Sequence, residues 1–73
     1  MNADTKAVRT LSRRVRELRL KKRWTQEKLA EKAFIATAYL SGVERGVRNP
    51  TTRVVARIAA ALKVPIGKLF ETS

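Results

Sequence analysis

The sequence predicts an all-α fold of five short helices, and three observations carry that prediction. Apolar residues recur at three- and four-residue steps, Thr, Gly and Pro punctuate the chain between those segments, and no alternating pattern is long enough to require a strand. With 73 residues, 44% of them apolar, the chain has material for a single core. It reads as one domain over 1–73, with the core running from about 8 to 70. Helices this short are marginal alone, so burial of their apolar stripes against one another must supply most of the stability.

The first helix spans residues 5–22, where Val8, Leu11, Val15 and Leu18 fall on one face. Asp4 or Thr5 is placed to cap its free amides, and Arg19, Lys21 and Lys22 lie near the negative end of its dipole. A second helix, over about 25–33, begins at Thr25 as N-cap and turns Leu29 and Ala30 inward; Lys28 at the third position leaves the capping box incomplete. The third, over 37–44, has Thr37 as a cap, Leu40 and Val43 for the core, and Thr37, Ala38 and Ser41 on another side. Gly46 and Asn49-Pro50 then break the chain into a loop. Thr51 or Thr52 caps a fourth helix whose Val54, Val55, Ile58, Ala59 and Leu62 form a broad stripe, the expected centre of packing. Pro65 ends it and starts a final turn carrying Ile66, Leu69 and Phe70.

Seventeen Lys and Arg against six acidic residues give a net charge of +11, and no His titrates to change it near neutrality. A polyanionic partner is expected. The absence of Cys and His excludes a disulfide framework, a thiol nucleophile, a Cys/His zinc site and His-dependent catalysis, so no enzymatic activity and no cofactor are expected. No apolar run approaches the roughly 20 residues that span a bilayer, and Met1-Asn2-Ala3-Asp4 does not begin a signal peptide. Those features predict a cytoplasmic protein without a membrane partner.

Three segments carry a family resemblance. Thr25-Gln26-Glu27-Lys28-Leu29-Ala30, then Ala38-Tyr39-Leu40-Ser41-Gly42-Val43-Glu44-Arg45-Gly46, then Arg48-Asn49-Pro50 resemble the lambda-repressor-like helix-turn-helix family over about residues 8–70. Gln26 and Ala30 match the first and fifth positions of its bihelical unit, and Glu44-Arg45-Gly46 is a separate match at the expected spacing. Within the family, the run Tyr39 to Arg45 and the small size are similar to controller proteins of restriction-modification systems.

The resemblance implies that the third helix enters the major groove while the second lies across it and anchors to phosphate. The candidate DNA-contacting set is Thr25, Gln26, Thr37, Ala38, Tyr39, Ser41, Arg45, Arg48 and Asn49. Thr37 and Ser41 offer short hydroxyls one helical turn apart, with Ala38 leaving room for a thymine methyl. Tyr39 is implied near a base or phosphate, and Arg48, able to grip guanine with two hydrogen bonds, is the leading specificity residue. Gln26 resembles the family's phosphate-clamping glutamine, with Asn49 and the loop backbone at a second phosphate; the alternative for Gln26 is an ordinary capping or surface residue, and for Thr37 and Ser41 it is helix capping and solvation. Arg19 and Glu44 correspond to positions that pair across the fold.

Two positions depart from the family. Phe34 stands where Gly or a small polar residue is usual, so the turn is either strained or different, and its ring is expected against the first helix or Trp24. Thr37 replaces a longer basic reader, so base preferences do not transfer from controller proteins.

The bland alternatives are specific. The series Arg9, Arg13, Arg14, Arg16, Arg19, Lys21, Lys22 and Arg23 reads mostly as a solvated face that raises nonspecific affinity, with a membrane-surface role disfavoured because the core needs the stripe beneath it. Glu27 and Glu31 have the spacing of paired carboxylates, but Lys28 and Lys32 lie between and after them and no further ligand follows. Trp24 reads as core rather than a base-stacking platform. Val64, Ile66, Leu69 and Phe70 are the dimer-interface candidates, with closure of the core as the alternative for each.

The expected function is a homodimeric transcriptional regulator binding a near-palindromic site in double-stranded DNA, with RNA polymerase a candidate further partner. A restriction-modification controller is the narrower expectation. A phage-type repressor, an antitoxin, a nonspecific nucleic-acid-binding protein and a protein-interaction module are the alternatives.

Overall fold

The structure is a computed structural model and describes residues 6–72. It contains four α-helices, α1 (Lys6–Lys21), α2 (Gln26–Ala33), α3 (Thr37–Glu44) and α4 (Thr52–Leu62), followed by a 3₁₀ turn (Ile66–Phe70). The expected fifth helix is therefore a single 3₁₀ turn, entered from Pro65 in extended geometry. Three residues per turn and poorer hydrogen-bond geometry keep such a segment short.

Hydroxyl caps start two of the helices. Thr25 Oγ1 accepts from the Lys28 amide at 3.0 Å, and Thr51 Oγ1 accepts from the Val54 amide at 3.2 Å. Thr37 is not a cap: Ala36 occupies that position without a side-chain bond, which places Thr37 as the first helical residue of α3. The expected caps of the first helix, Asp4 and Thr5, lie outside the described residues.

All four α-helices end in the same Schellman motif, in which a residue of left-handed backbone lets two amides return to the last free carbonyls. Arg23, Phe34, Gly46 and Lys63 hold that position, with φ of 59°, 59°, 75° and 60°. After α2, the Phe34 amide donates to Glu31 O at 3.2 Å and the Ile35 amide to Ala30 O at 3.0 Å. The corresponding bonds after α4 run from Lys63 to Ala60 at 3.1 Å and from Val64 to Ala59 at 3.0 Å. Only α3 uses glycine, so three ordinary residues bear the cost of left-handed geometry.

Phe34 resolves the alternative left by its departure from the family. The turn keeps its left-handed geometry, with φ 59° and ψ 44°. Its ring does not compensate by packing on α1 or Trp24, because Phe34 is 82% exposed. The outward direction follows from the reversal of the backbone at that residue.

The core gathers Val8, Leu11 and Val15 of α1, Leu29, Ala30 and Ala33 of α2, Leu40 and Val43 of α3, and Val55, Ile58, Ala59 and Leu62 of α4. Leu18, Trp24, Val54 and Val64 pack on its margin. Helix α4 touches α1, α2 and the 3₁₀ turn, as a central packing helix must. Leu69 closes the bottom of the core with no exposed surface.

Candidate nucleic-acid interface

Helix α3 separates its residues into two sides. Successive side chains are about 100° apart, so Leu40 and Val43 face the core while Thr37, Ser41, Ala38 and Arg45 occupy the opposite sector. Thr37, Ala38 and Arg45 are exposed and Ser41 is half-buried. These four expected DNA contacts therefore share one outward face. Tyr39 lies further round the helix and is half-buried, at the flank of that face.

The other candidates reach this region from α2 and from the loop after α3. Thr25 is exposed at the start of α2, its hydroxyl oxygen engaged by the Lys28 amide. Gln26 is half-buried, and its Nε2 donates to Glu44 Oε1 at 3.0 Å. A primary amide carries two N–H donors, so one remains for a phosphate oxygen while Glu44 fixes which way the amide points. Asn49 is exposed, and Arg48 is exposed with no side-chain hydrogen bond or ion pair among the described residues.

Beneath this surface lies one buried network. Arg19 Nε donates to Glu44 Oε2 at 2.7 Å and Arg19 Nη2 to Glu44 Oε1 at 2.9 Å, a two-bond grip. Arg19 Nη1 donates to the Trp24 carbonyl at 2.8 Å. The end of α1, the start of α2 and the end of α3 are thus tied at one carboxylate, and that tie orients the bihelical unit.

Two features of the surface escaped sequence reasoning. Gly42 sits under the stem of Arg48, so that a Cβ built there would lie 2.5 Å from Arg48 Cγ. A glycine inside a short helix was the signal for it, since Ala would serve the helix better. Around Trp24, the ammonium groups of Lys22, Lys28 and Lys32 stand 5.2, 5.7 and 5.2 Å from the ring centroid. Trp24 itself is half-buried at the core margin rather than within it.

The basic series of α1 divides by use. Arg19 belongs to the network, and Arg14 ties α1 to the 3₁₀ turn through Lys68 O at 3.1 Å while pairing within α1 with Glu17 at 3.0 Å. Arg9, Arg13, Arg16, Lys21, Lys22 and Arg23 are exposed.

At the far end of the chain the four dimer candidates do not share a surface. Leu69 is fully buried and takes the core-closing alternative rather than lying on a surface, because the 3₁₀ turn packs against α1 and α4. Ile66 and Phe70 are 42% and 40% exposed, and Val64 is half-buried. Ile66 and Phe70 border an apolar groove of about 320 Å³, walled by Ala7, Leu11, Pro50 and Val55. Asn49 also lines it, which brings the loop of expected DNA contacts to the rim of the candidate dimer face.

Two short helices joined by a left-handed turn, the second with a polar outward face and held by a buried ion pair, have the form of a helix-turn-helix unit. Residues 15–69 match the helix-turn-helix family model, and the chain belongs to that family. It is similar to the HTH-type transcriptional regulator SinR of Bacillus subtilis (strain 168), 32% identical over 62 residues, covering 84% of this chain and 56% of that protein. The immunity repressor protein of Bacillus phage phi105 is 32% identical over 60 residues, covering 82% of this chain and 42% of the repressor. The chain therefore spans about half the length of these regulators. Among solved structures, the restriction-modification controller protein C.AhdI from Aeromonas hydrophila superposes with a TM-score of 0.84 at 36% identity, over 86% of this chain and 96% of that one. The wild-type controller protein C.Esp1396I gives 0.84 at 33% identity, over 92% and 87%. Among the described residues, no helix is long and apolar enough to cross a membrane.

Proposed function

We propose that this chain is a sequence-specific regulator of transcription that binds duplex DNA as a homodimer, and that it is of the restriction-modification controller type. The observation that carries the reading is the outward face of α3, where Thr37, Ala38, Ser41 and Arg45 stand clear of the core beside the unpaired Arg48. Thr25 and Gln26, at the start of α2, supply the phosphate anchors. Likeness to C.AhdI over nearly its whole length supports the narrower class. Ile66 and Phe70, partly exposed at the groove rim, supply the two-fold contact. A dimer so built presents two copies of α3 about 34 Å apart, one turn of DNA. Whether it activates or represses depends on where that dimer lies relative to RNA polymerase.

Selection of bound duplexes from a random library at physiological salt tests this reading. Enrichment of an inverted repeat with half-site centres one turn apart is the expected result. Binding without enrichment would transfer the affinity to the +11 charge and favour a nonspecific nucleic-acid-binding protein instead.

A further inference from the structure

Gly42 is a glycine without a conformational reason. Its backbone is ordinary α-helix within α3, not the left-handed form adopted by Gly46. Alanine would favour the helix at such a position. What requires glycine is the space above it: a Cβ would meet Arg48 Cγ at 2.5 Å, Cβ at 3.5 Å and Cδ at 3.6 Å. The first distance is shorter than non-bonded carbons adopt, so the stem of Arg48 occupies the place of the missing side chain.

The backbone is pinned at the same point. The Gly42 carbonyl accepts from the Val47 amide at 3.0 Å and from the Arg48 amide at 3.2 Å. Arg48 is thus held to α3 twice, by its own amide and by its stem. Its guanidinium makes no hydrogen bond or ion pair with the described residues, so its donors are unspent. Ala38, one helical turn before Gly42, is exposed and carries only a methyl group, which leaves the adjoining stretch of α3 open to a long side chain.

We propose that Gly42 is a positioning residue for sequence recognition: it gives up its own side chain so that Arg48, supplied by the loop, lies across α3 and presents a pre-ordered guanidinium to a guanine edge in the major groove. The inference rests on α3 being the DNA-reading helix. Pre-ordering matters because a free arginine loses side-chain entropy on binding, whereas one already laid against a helix loses less. It also accounts for the short outward residues Thr37, Ala38 and Ser41 within α3, since the long reader arrives from the loop.

The test uses the full chain and the duplex selected from a random library, with each half-site position varied through the four bases. Wild type, Gly42→Ala, Arg48→Ala and the double variant are compared for binding and thermal melting. Gly42→Ala is expected to melt no lower than wild type and to lose about tenfold or more of the discrimination at the one position where Arg48→Ala also loses it. The double variant is expected to match Arg48→Ala, since both changes remove one contact. A folded Gly42→Ala protein that keeps wild-type base preference, while Arg48→Ala loses it, overturns the role of Gly42 and leaves α3 as the reader. Absence of base preference in wild type instead overturns the DNA reading on which the inference rests. If Gly42→Ala does not fold, the free wild-type protein decides by nuclear Overhauser contacts between the Gly42 Hα and Arg48 Hγ protons: their presence supports docking of the stem, and their absence overturns it.

Discussion

Arg19 holds Glu44 by both carboxylate oxygens, at 2.7 and 2.9 Å, across 25 residues of sequence, and neither side chain has more than 10% of its surface in water. Gln26 adds a third bond to the same carboxylate at 3.0 Å. No buried side-chain polar atom among the described residues lacks a partner. A buried pair of this kind contributes little over an apolar substitute, but breaking one side leaves an uncompensated charge. Its value lies in fixing the angle at which α3 leaves the core.

Glu44→Ala is therefore expected to destabilise the chain by about 3 to 5 kcal/mol, because Arg19 would remain buried without its counter-charge. Urea unfolding measures it. A loss below about 1 kcal/mol would mean that water reaches Arg19 and that the pair behaves as a surface one.

Phe34→Gly is expected to stabilise the chain by about 1 kcal/mol, the strain of a left-handed non-glycine residue less the extra freedom of an unfolded glycine. No core contact is lost, since Phe34 is 82% exposed. Thermal melting of Phe34→Gly beside Phe34→Ala separates the two contributions, because alanine retains the Cβ that makes the backbone unfavourable. Equal stability of both variants would place the effect in the ring and not in the backbone.

The parts of this structure visible in the sequence are those set by neighbours along the chain. The stripe Val55, Ile58, Ala59 and Leu62 defines the buried face of α4 by period alone, and Thr25 lies three residues before the amide it caps. The Arg19 to Glu44 pair has no local signal and was accessible only through the family pattern. Gly42 stands inside a helix, where a glycine is a signal in itself, yet its partner is six residues away in a loop whose path no periodicity describes. Within the terminal turn, Ile66, Leu69 and Phe70 were indistinguishable, because tertiary packing selects which side of one 3₁₀ turn is covered. Thr37 was a suitable cap by type, but the chain enters α3 one residue earlier, at Ala36.

That selection between neighbours in the terminal turn gives opposite mutant behaviour. Leu69→Ala is expected to cost about 2 to 5 kcal/mol of folding stability, as truncation of a fully buried leucine does. Phe70→Ala and Ile66→Ala, at 40% and 42% exposed positions, are expected to keep the fold and to weaken self-association by about tenfold or more. Sedimentation equilibrium over a concentration series distinguishes them. An unchanged dimer in both exposed variants would remove the groove face from the interface.

The lysines around Trp24 give the last test, which concerns how affinity arises without sequence preference. Their ammonium groups lie 5.2 to 5.7 Å from the ring centroid, so no two are further apart than about 11 Å, close to the Debye length at 0.1 M salt. None of the three has an ion pair among the described residues, and attraction to the ring offsets their mutual repulsion only in part. Lys28 and Lys32 follow Thr25 by three and seven residues, which puts them on the side of α2 that carries the candidate phosphate anchor. A phosphate backbone beside this cluster would relieve the repulsion. Lys28→Gln and Lys32→Gln are each expected to reduce the slope of log affinity against log salt by about 0.9, with base preference unchanged. Trp24, the single tryptophan, is expected to change its emission when duplex is added. Unaltered slopes in both variants, with unaltered emission, would confine the three lysines to covering the ring.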